Sequence, residues 1–430
     1  MLNASCIPSE AFVQMELLTA TTNSWLNLPA HRHWLALQGQ RLLEFAKASR
    51  IDNGFADLDN RGRPDLASGA LTIQTARMTH SFALACLQGI PGSAAMVDHG
   101  LRALHGPLRD ACHGGWYAGE RAEPSSRKQA YLHAFVALAA SSAVAAGRPD
   151  AAALLDDAVQ ILERHFWCEE EQAFLESYAQ DWSDLERYRG GNSNMHGVEA
   201  CLALADVCND VKWLDRALAI SERMIHQHAA AAGYLPVEHF DAQWQPLRDY
   251  NHDRPGDEFR PYGQTPGHAF EWARLLLHLE AARHRIGLAN PSWLAEDAQR
   301  LFAAACQVGW TVDGQPGIVY TVDWQQRPVV AQRLHWTLAE AAAAAAALHQ
   351  RTGDAGYEQW YREFWDYIDL YLIDREHGSW HHELDTCNRP AWTIWPGKPD
   401  LYHAYQATLL PTLPLAPSLA TALARQAGLG

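Results

Sequence analysis

Glu258-Phe-Arg-Pro-Tyr-Gly-Gln-Thr-Pro-Gly-His-Ala-Phe-Glu-Trp272 reads as a polar loop, punctuated by proline and glycine, that runs directly into a helix. Thr265 is placed to cap that helix, and Pro266 suits its first turn, where a missing amide hydrogen costs little. His268 and Glu271, three residues apart, share a helix face, while Leu275, Leu276 and Leu277 carry the apolar run onward. An imidazole, a carboxylate and the loop arginine Arg260 are thus delivered to one helix start.

The arrangement of helix, long polar loop and helix recurs along the chain. Apolar residues at helical spacing predict paired helices over 30–49 with 71–89, 93–108 with 127–146, and 150–167 with 193–209. The pairs continue as 211–229 with 264–285, 291–310 with 331–350, and 355–373 with 400–415, following an irregular start. The intervening loops repeat a glycine-aromatic theme at Gly54-Phe55, Gly115-Trp116, Ala173-Phe174, Gly233-Tyr234, Gly317 to Tyr320 and Gly378 to Trp380. Short antiparallel ribbons are expected there, each with an acid close by: Asp57, Glu120, Glu176, Glu238, Asp323 and Glu383. A period of about 60 residues suits either an open helical array or a closed ring. Near the start of each second helix stands a histidine: His80, His133, His196, His268, His335 and His403. A ring of inner and outer helices would bring those starts to one mouth, so an all-α toroid is expected, as a single domain over 1–430 with its core at about 30–415. An unaccompanied histidine such as His133 or His335 is expected to be a structural wall residue.

Composition narrows the function. The 430 residues are 48% hydrophobic with a formal charge of -16, which disfavours nucleic acid and anionic membranes as partners. The alanine run from Ala341 to Ala347 points to close helix packing. Eight scattered cysteines show no CxxC spacing, as buried thiols in a reducing compartment would. No signal-like or membrane-length apolar segment is present, so a cytoplasmic location is expected. Loop tryptophans, among the 17 in the chain, offer flat apolar faces to a sugar ring.

Two further motifs carry chemistry. Asn192-Ser-Asn-Met-His196-Gly-Val-Glu199 places a histidine and a carboxylate one turn apart behind a cap at Asn192 or Ser193. In Trp395-Pro-Gly-Lys398-Pro-Asp400-Leu-Tyr402-His403, Asp400 can cap the helix that carries His403, whose first turn disfavours a protonated imidazole. Two imidazoles across a pocket suit proton transfer between adjacent carbons of a sugar, with arginine holding the enediolate charge. A metal gathered by His381, His382 and Glu383 together with the His196/Glu199 and His268/Glu271 pairs, or a glycosidase carboxylate pair, are the competing readings. Nucleotide-binding glycine loops, nucleophile elbows and HExxH are absent.

These motifs, together with Arg77-Met-Thr-His80-Ser-Phe, resemble the N-acylglucosamine 2-epimerase superfamily over about residues 30–415, four motifs occurring in family order. The form around Lys398 to His403 is most similar to its aldose-ketose isomerase branch, acting on mannose or sulfoquinovose. The resemblance implies an (α/α)6 barrel, a monosaccharide substrate, and no cofactor or metal. It implies His268 and His403 as the acid/base pair, with Arg77 and His196 on the sugar oxygens and Arg260 on the charged intermediate. Glu271 would orient the substrate or His268, and Trp395 and Asp400 complete the substrate-binding set. Mannose is the first expectation. A sulfoquinovose isomerase would need extra positive charge, for which Arg187, Arg189, Arg254 and Lys398 are candidates, and 2-epimerases share the fold. A homodimer is compatible with this reading.

Overall fold

The computed structural model describes residues 24–429; the irregular start and Cys6 lie outside the described residues. The inner helices are α2 (Thr72–Leu87), α4 (Ala130–Ala145), α6 (Gly191–Val207), α8 (Pro266–Arg285), α10 (His335–Thr352) and α12 (Tyr402–Leu409). They pack on one another in that order, and α12 returns to α2, so the ring closes. The outer helices are α1 (Pro29–Ala46), α3 (Ser93–His105), α5 (Ala151–Ile161), α7 (Lys212–Ser221), α9 (Trp293–Gly309) and α11 (Ala355–Tyr367). The architecture is the expected (α/α)6 toroid. The inner helices are apolar almost all round because neighbours surround them: residues His335 to Leu348 are all buried, the alanine run among them.

One detail of the pairing differs from the sequence reading. The outer helices α3, α5, α7, α9 and α11 each pack most heavily on the inner helix before them, across a short turn, rather than on the one after them across a long loop, while α1 packs on α12. A short turn forces antiparallel neighbours into contact, whereas the long loops leave the barrel wall to build the mouth. An additional short helix, α13 (Leu419–Gln426), lies beyond the expected core and packs against α2, α4 and α6.

The long loops form a collar. The glycine-aromatic themes pair back onto the ends of the outer helices at Arg50 with Phe55, Arg109 with Trp116, Trp167 with Phe174, Trp310 with Ile318 and Ile373 with Trp380. The theme at Gly233-Tyr234 forms no ribbon. Neighbouring loops are also stitched to each other: Leu71 to Gly119, Lys128 and Gln129 to Tyr178 and Ser177, Arg189 and Gly190 to Phe240 and His239, Gln264 to Val322, and Arg333 and Leu334 to Leu384 and Glu383. Lys398 N donates to Leu58 O at 2.8 Å and completes the circuit. Two motif glycines permit this stitching. At Gly263 (φ +93°) and Gly397 (φ +79°), a Cβ would fall 2.2 Å from the carbonyl oxygens of Val322 and Leu58 respectively, so a side chain there would push the loops apart.

Candidate active site

The inner-helix starts and the collar enclose a narrow cavity lined by Arg77, Tyr131, Asn192, His196, His268, Glu271, Trp336, Trp395 and His403, with Glu258, Phe259, Pro261 and Tyr320 also in its wall. Its volume of about 30 Å³ leaves room for little more than one water molecule. Three of the six histidines reach it. His133 instead bonds Gln129 O at 2.7 Å and accepts from Trp116 N at 3.2 Å, as a wall residue should. His80 lies two turns down α2 and bonds Ser142 Oγ at 2.7 Å. His335 sits behind the cavity wall, stacked on His382 at 3.8 Å between ring centroids.

His268 and His403 are held alike. His268 Nδ1 lies 2.9 Å from Glu238 Oε1, and His403 Nδ1 bonds Asp400 Oδ2. Each tether leaves Nε2 as the ring nitrogen available to a ligand. Asp400 Oδ1 also accepts from the His403 amide at 3.3 Å, and Oδ2 lies 3.2 Å from His335 Nε2. Burial works against the Asp400 carboxylate, but His403, His335 and Arg77 outweigh it and hold it well below the usual range. Asp400 therefore supports His403 from behind; it is not part of the cavity lining. The other expected caps act differently: Thr265 is the residue before α8 but its hydroxyl makes no cap bond, and Asn192 and Ser193 lie inside the first turn of α6.

The floor combines charges of both signs. His196 Nδ1 lies 3.4 Å from Glu199 Oε2 and 3.8 Å from Glu271 Oε1, and burial lowers its pKa to about 4, so it is a neutral hydrogen-bonding group. Arg274 donates from Nε to Glu340 at 2.8 Å, and its NH2 stands 3.6 Å from Glu271. Glu271 is 0% exposed with no hydrogen-bond partner on either oxygen. Burial, then repulsion from Glu340, pushes its carboxyl well above the usual range. A buried carboxyl left unpaired in a cavity wall is poised to bind a polar ligand group. Arg77 donates through NH2 to Tyr131 Oη at 2.6 Å, and its guanidinium lies 4.5 Å from the Phe135 ring.

Arg260 is not brought to this cavity. Its NH1 donates to Glu186 at 2.9 Å and its NH2 to Glu176 at 3.2 Å, while the guanidinium covers the Tyr188 ring at 4.2 Å. The side chain ties the loop to its neighbours. The His381, His382 and Glu383 run likewise disperses: Glu383 accepts from Thr393 Oγ1, Ile394 N and Trp395 N, thereby seating Trp395. Among the described residues, the donor sets close enough to share an ion are His335, Asp400 and His403; His196, Glu199 and Glu271; and Glu271, Glu340 and His403. Hydrogen bonds and ion pairs within and around these sets already engage most of their atoms.

Tyr131, Trp336, Tyr320, Glu258 and Glu238 were not singled out from sequence as site residues. Tyr131 and Trp336 stand two residues before His133 and one after His335, so a helix-face analysis of those inner helices would have found them. Glu238 belongs to the repeated acids, but nothing local links it to His268.

A closed ring of helices with tethered imidazoles, an arginine and carboxyl groups converging on its mouth defines an (α/α)6-barrel enzyme. The chain belongs to the N-acylglucosamine 2-epimerase family, whose sequence pattern matches residues 54–407. It is 64% identical to a D-mannose isomerase of Pseudomonas cannabina pv. alisalensis, over 94% of this chain and 98% of that one. It is 52% identical to a D-mannose isomerase of Thermobifida fusca, over 93% and 98%. A crystal structure of a D-mannose isomerase superposes with a TM-score of 0.81 at 27% identity, covering 90% of this chain and 99% of that one.

Proposed function

We propose that the chain is an aldose-ketose isomerase that interconverts D-mannose and D-fructose, with His268 and His403 as the acid/base pair. The observation that carries the mechanism is two imidazoles in one cavity, each with Nδ1 held by a carboxylate and Nε2 free. After ring opening, one Nε2 removes the proton from C2 of the aldose while the other supplies a proton to the carbonyl oxygen. The resulting cis-enediol collapses as a proton is returned to C1 and the C2 hydroxyl gives up its own, yielding the ketose. Arg77, the lysine or arginine that lines the cavity, stabilises the developing oxyanion in place of the expected Arg260. His196 and Glu271 hold sugar hydroxyls, and Trp336 and Trp395 offer apolar faces. The cavity is far smaller than an ordinary ligand pocket, so its lining opens wider to admit the sugar. Among the described residues no helix is long and apolar enough to cross a membrane, and a cytoplasmic location fits the free cysteines there.

Incubation with D-mannose in deuterium oxide, with and without chelator and followed by NMR, tests this reading. Fructose carrying solvent deuterium, unaffected by chelator and lost in His403→Ala, is expected. A C2 epimer formed without ketose would move the assignment to a 2-epimerase, and loss on chelation would replace the two-histidine mechanism by a metal-assisted one.

A further inference from the structure

The cavity is poor in fixed positive charge, and its opening is acidic. Among the described residues, Arg77 is the only lysine or arginine in its lining. The other candidate cations are committed elsewhere: Arg189 forks onto Glu171 at 2.8 Å through both Nε and NH2, Lys398 is buried on Asp374, and Arg254 bonds Asn251 at 3.2 Å. Arg187 is exposed and outside the lining. Two carboxyl groups among the described residues with no side-chain hydrogen bond bear on the cavity, Glu258 in its lining and Asp57 close enough to couple with Glu258. Glu258 lines the cavity from a rim loop whose backbone is pinned by Tyr320 Oη, which donates to the carbonyls of Asp257 and Glu258 at 3.1 and 3.0 Å. Asp57 is the repeated acid of the first collar loop, as Glu238 is of the fourth, and it interacts electrostatically with both Glu258 and Arg77.

We infer that Glu258, seconded by Asp57, is a specificity-determining group that admits uncharged hexoses and turns away sugars carrying a phosphate or sulfonate at the end remote from the carbonyl. The inference rests on the isomerase reading above. If the reacting carbons lie between the two Nε2 atoms at the helix starts, the far end of an open-chain hexose points toward the collar. A charged substituent there meets like charge where water is scarce and where, among the described residues, Arg77 is the one fixed cation of the lining. An uncharged hydroxymethyl group finds two carboxylate acceptors instead. Rejection by repulsion gives selectivity without tighter binding of the accepted sugar.

The charge of this barrier varies with pH. Burial, then Asp57 and Asp257, push the Glu258 carboxyl up to about 7, with Arg77 pulling the other way. Asp57 is raised to about 6 by burial and Asp65, again against Arg77. The remaining titratable groups in the wall are Tyr131 and Tyr320, both raised above the usual phenol range and so neutral, Glu271, held well above the usual carboxyl range by burial and Glu340, and the histidines His196, His268 and His403. Both rim acids have raised pKa values, so they are neutral at low pH and ionise as pH rises. Discrimination is therefore strongest above about pH 7 and fades as pH falls toward about 5.

The test compares kcat/KM for D-mannose with that for its 6-deoxy-6-sulfonate, whose charge is constant across the pH range, in the wild-type chain, Glu258→Gln and Glu258→Lys. The sulfonate-to-mannose ratio is expected to rise about 10-fold in the glutamine variant and about 100-fold in the lysine variant. In the wild-type chain the ratio should increase on acidification. Ratios that stay within about 2-fold in both variants, or a wild-type preference for the sulfonate, overturn the inference. If mannose is isomerised and the ratio does not move, the rim role fails while the isomerase reading stands. If no hexose is turned over, the isomerase reading fails, and sulfonate binding followed by tryptophan fluorescence decides the rim: tighter binding in the variants supports the barrier, and unchanged binding overturns it.

Discussion

His268 is tethered to Glu238, a residue 30 positions upstream in the long collar loop that leads into α8, whereas His403 is tethered to Asp400, three positions away in its own motif. The first tether exists only because the loops are stitched together ahead of α8. The second is local, and it is also shared, since Asp400 serves the His403 amide and His335 as well. Equivalent placement of two imidazoles can thus rest on supports of unequal reach and unequal load. The largest test of equivalence is removal of each ring. His268→Ala and His403→Ala should each lower kcat by about 1,000-fold, the scale of a lost acid or base in proton transfer, in a mannose-to-fructose assay. A loss below about 10-fold at either position would assign the proton transfer to the other imidazole and break the comparison.

The carboxylates sharpen it. Asp400→Asn should lower kcat about 100-fold and Glu238→Gln about 10-fold, because an amide can present the wrong polarity to Nδ1 and lose control of the tautomer. The gap follows from load: Asp400 organises a helix start and two histidines, Glu238 one histidine. Thermal unfolding of both variants separates this from simple loss of structure, since the melting temperature should hold while kcat falls. Equal effects at the two positions would show that sharing with His335 has no functional consequence.

The same contrast explains what could be read from the chain. The helices and their ring were legible because apolar periodicity, caps and prolines are local signals, and His268, Glu271 and His403 were legible because each lies in the first turns of a helix behind a loop. Asp400 was recognised by spacing, yet its place behind His403 needs the rotamer and the fold. Glu238 was visible as one of six repeated acids, whose tasks differ in the folded chain. Glu238 holds a histidine, Glu176 pairs with Arg260, and Glu383 seats the Trp395 loop. Neither sequence distance nor residue type separates those tasks, which are set by the neighbour each acid meets across the collar. His335 shows the same limit from the other side: it is a wall residue, as expected, but one wired through Asp400 to the cavity.

The arginines give the smallest and most direct contrast. Arg260 sits in the stretch that announces the site, eight residues before His268, and the resemblance casts it as the cation for the intermediate. Its guanidinium instead joins Glu176 and Glu186, with Tyr188 beneath it, while Arg77 occupies the cavity wall. Lysine keeps the charge but loses the planar fork. Arg260→Lys should therefore leave kcat within about 3-fold and lower the melting temperature by about 1 °C, roughly what loss of about 1 kcal/mol of loop anchoring produces in a chain of this length. Arg77→Lys should reverse the pattern, lowering kcat about 30-fold because the donor geometry toward the oxyanion is lost. Paired kinetics and thermal unfolding of the two variants distinguish these outcomes. A large kcat loss in Arg260→Lys with an unchanged melting temperature would mean that the collar rearranges on binding and delivers Arg260 to the sugar after all.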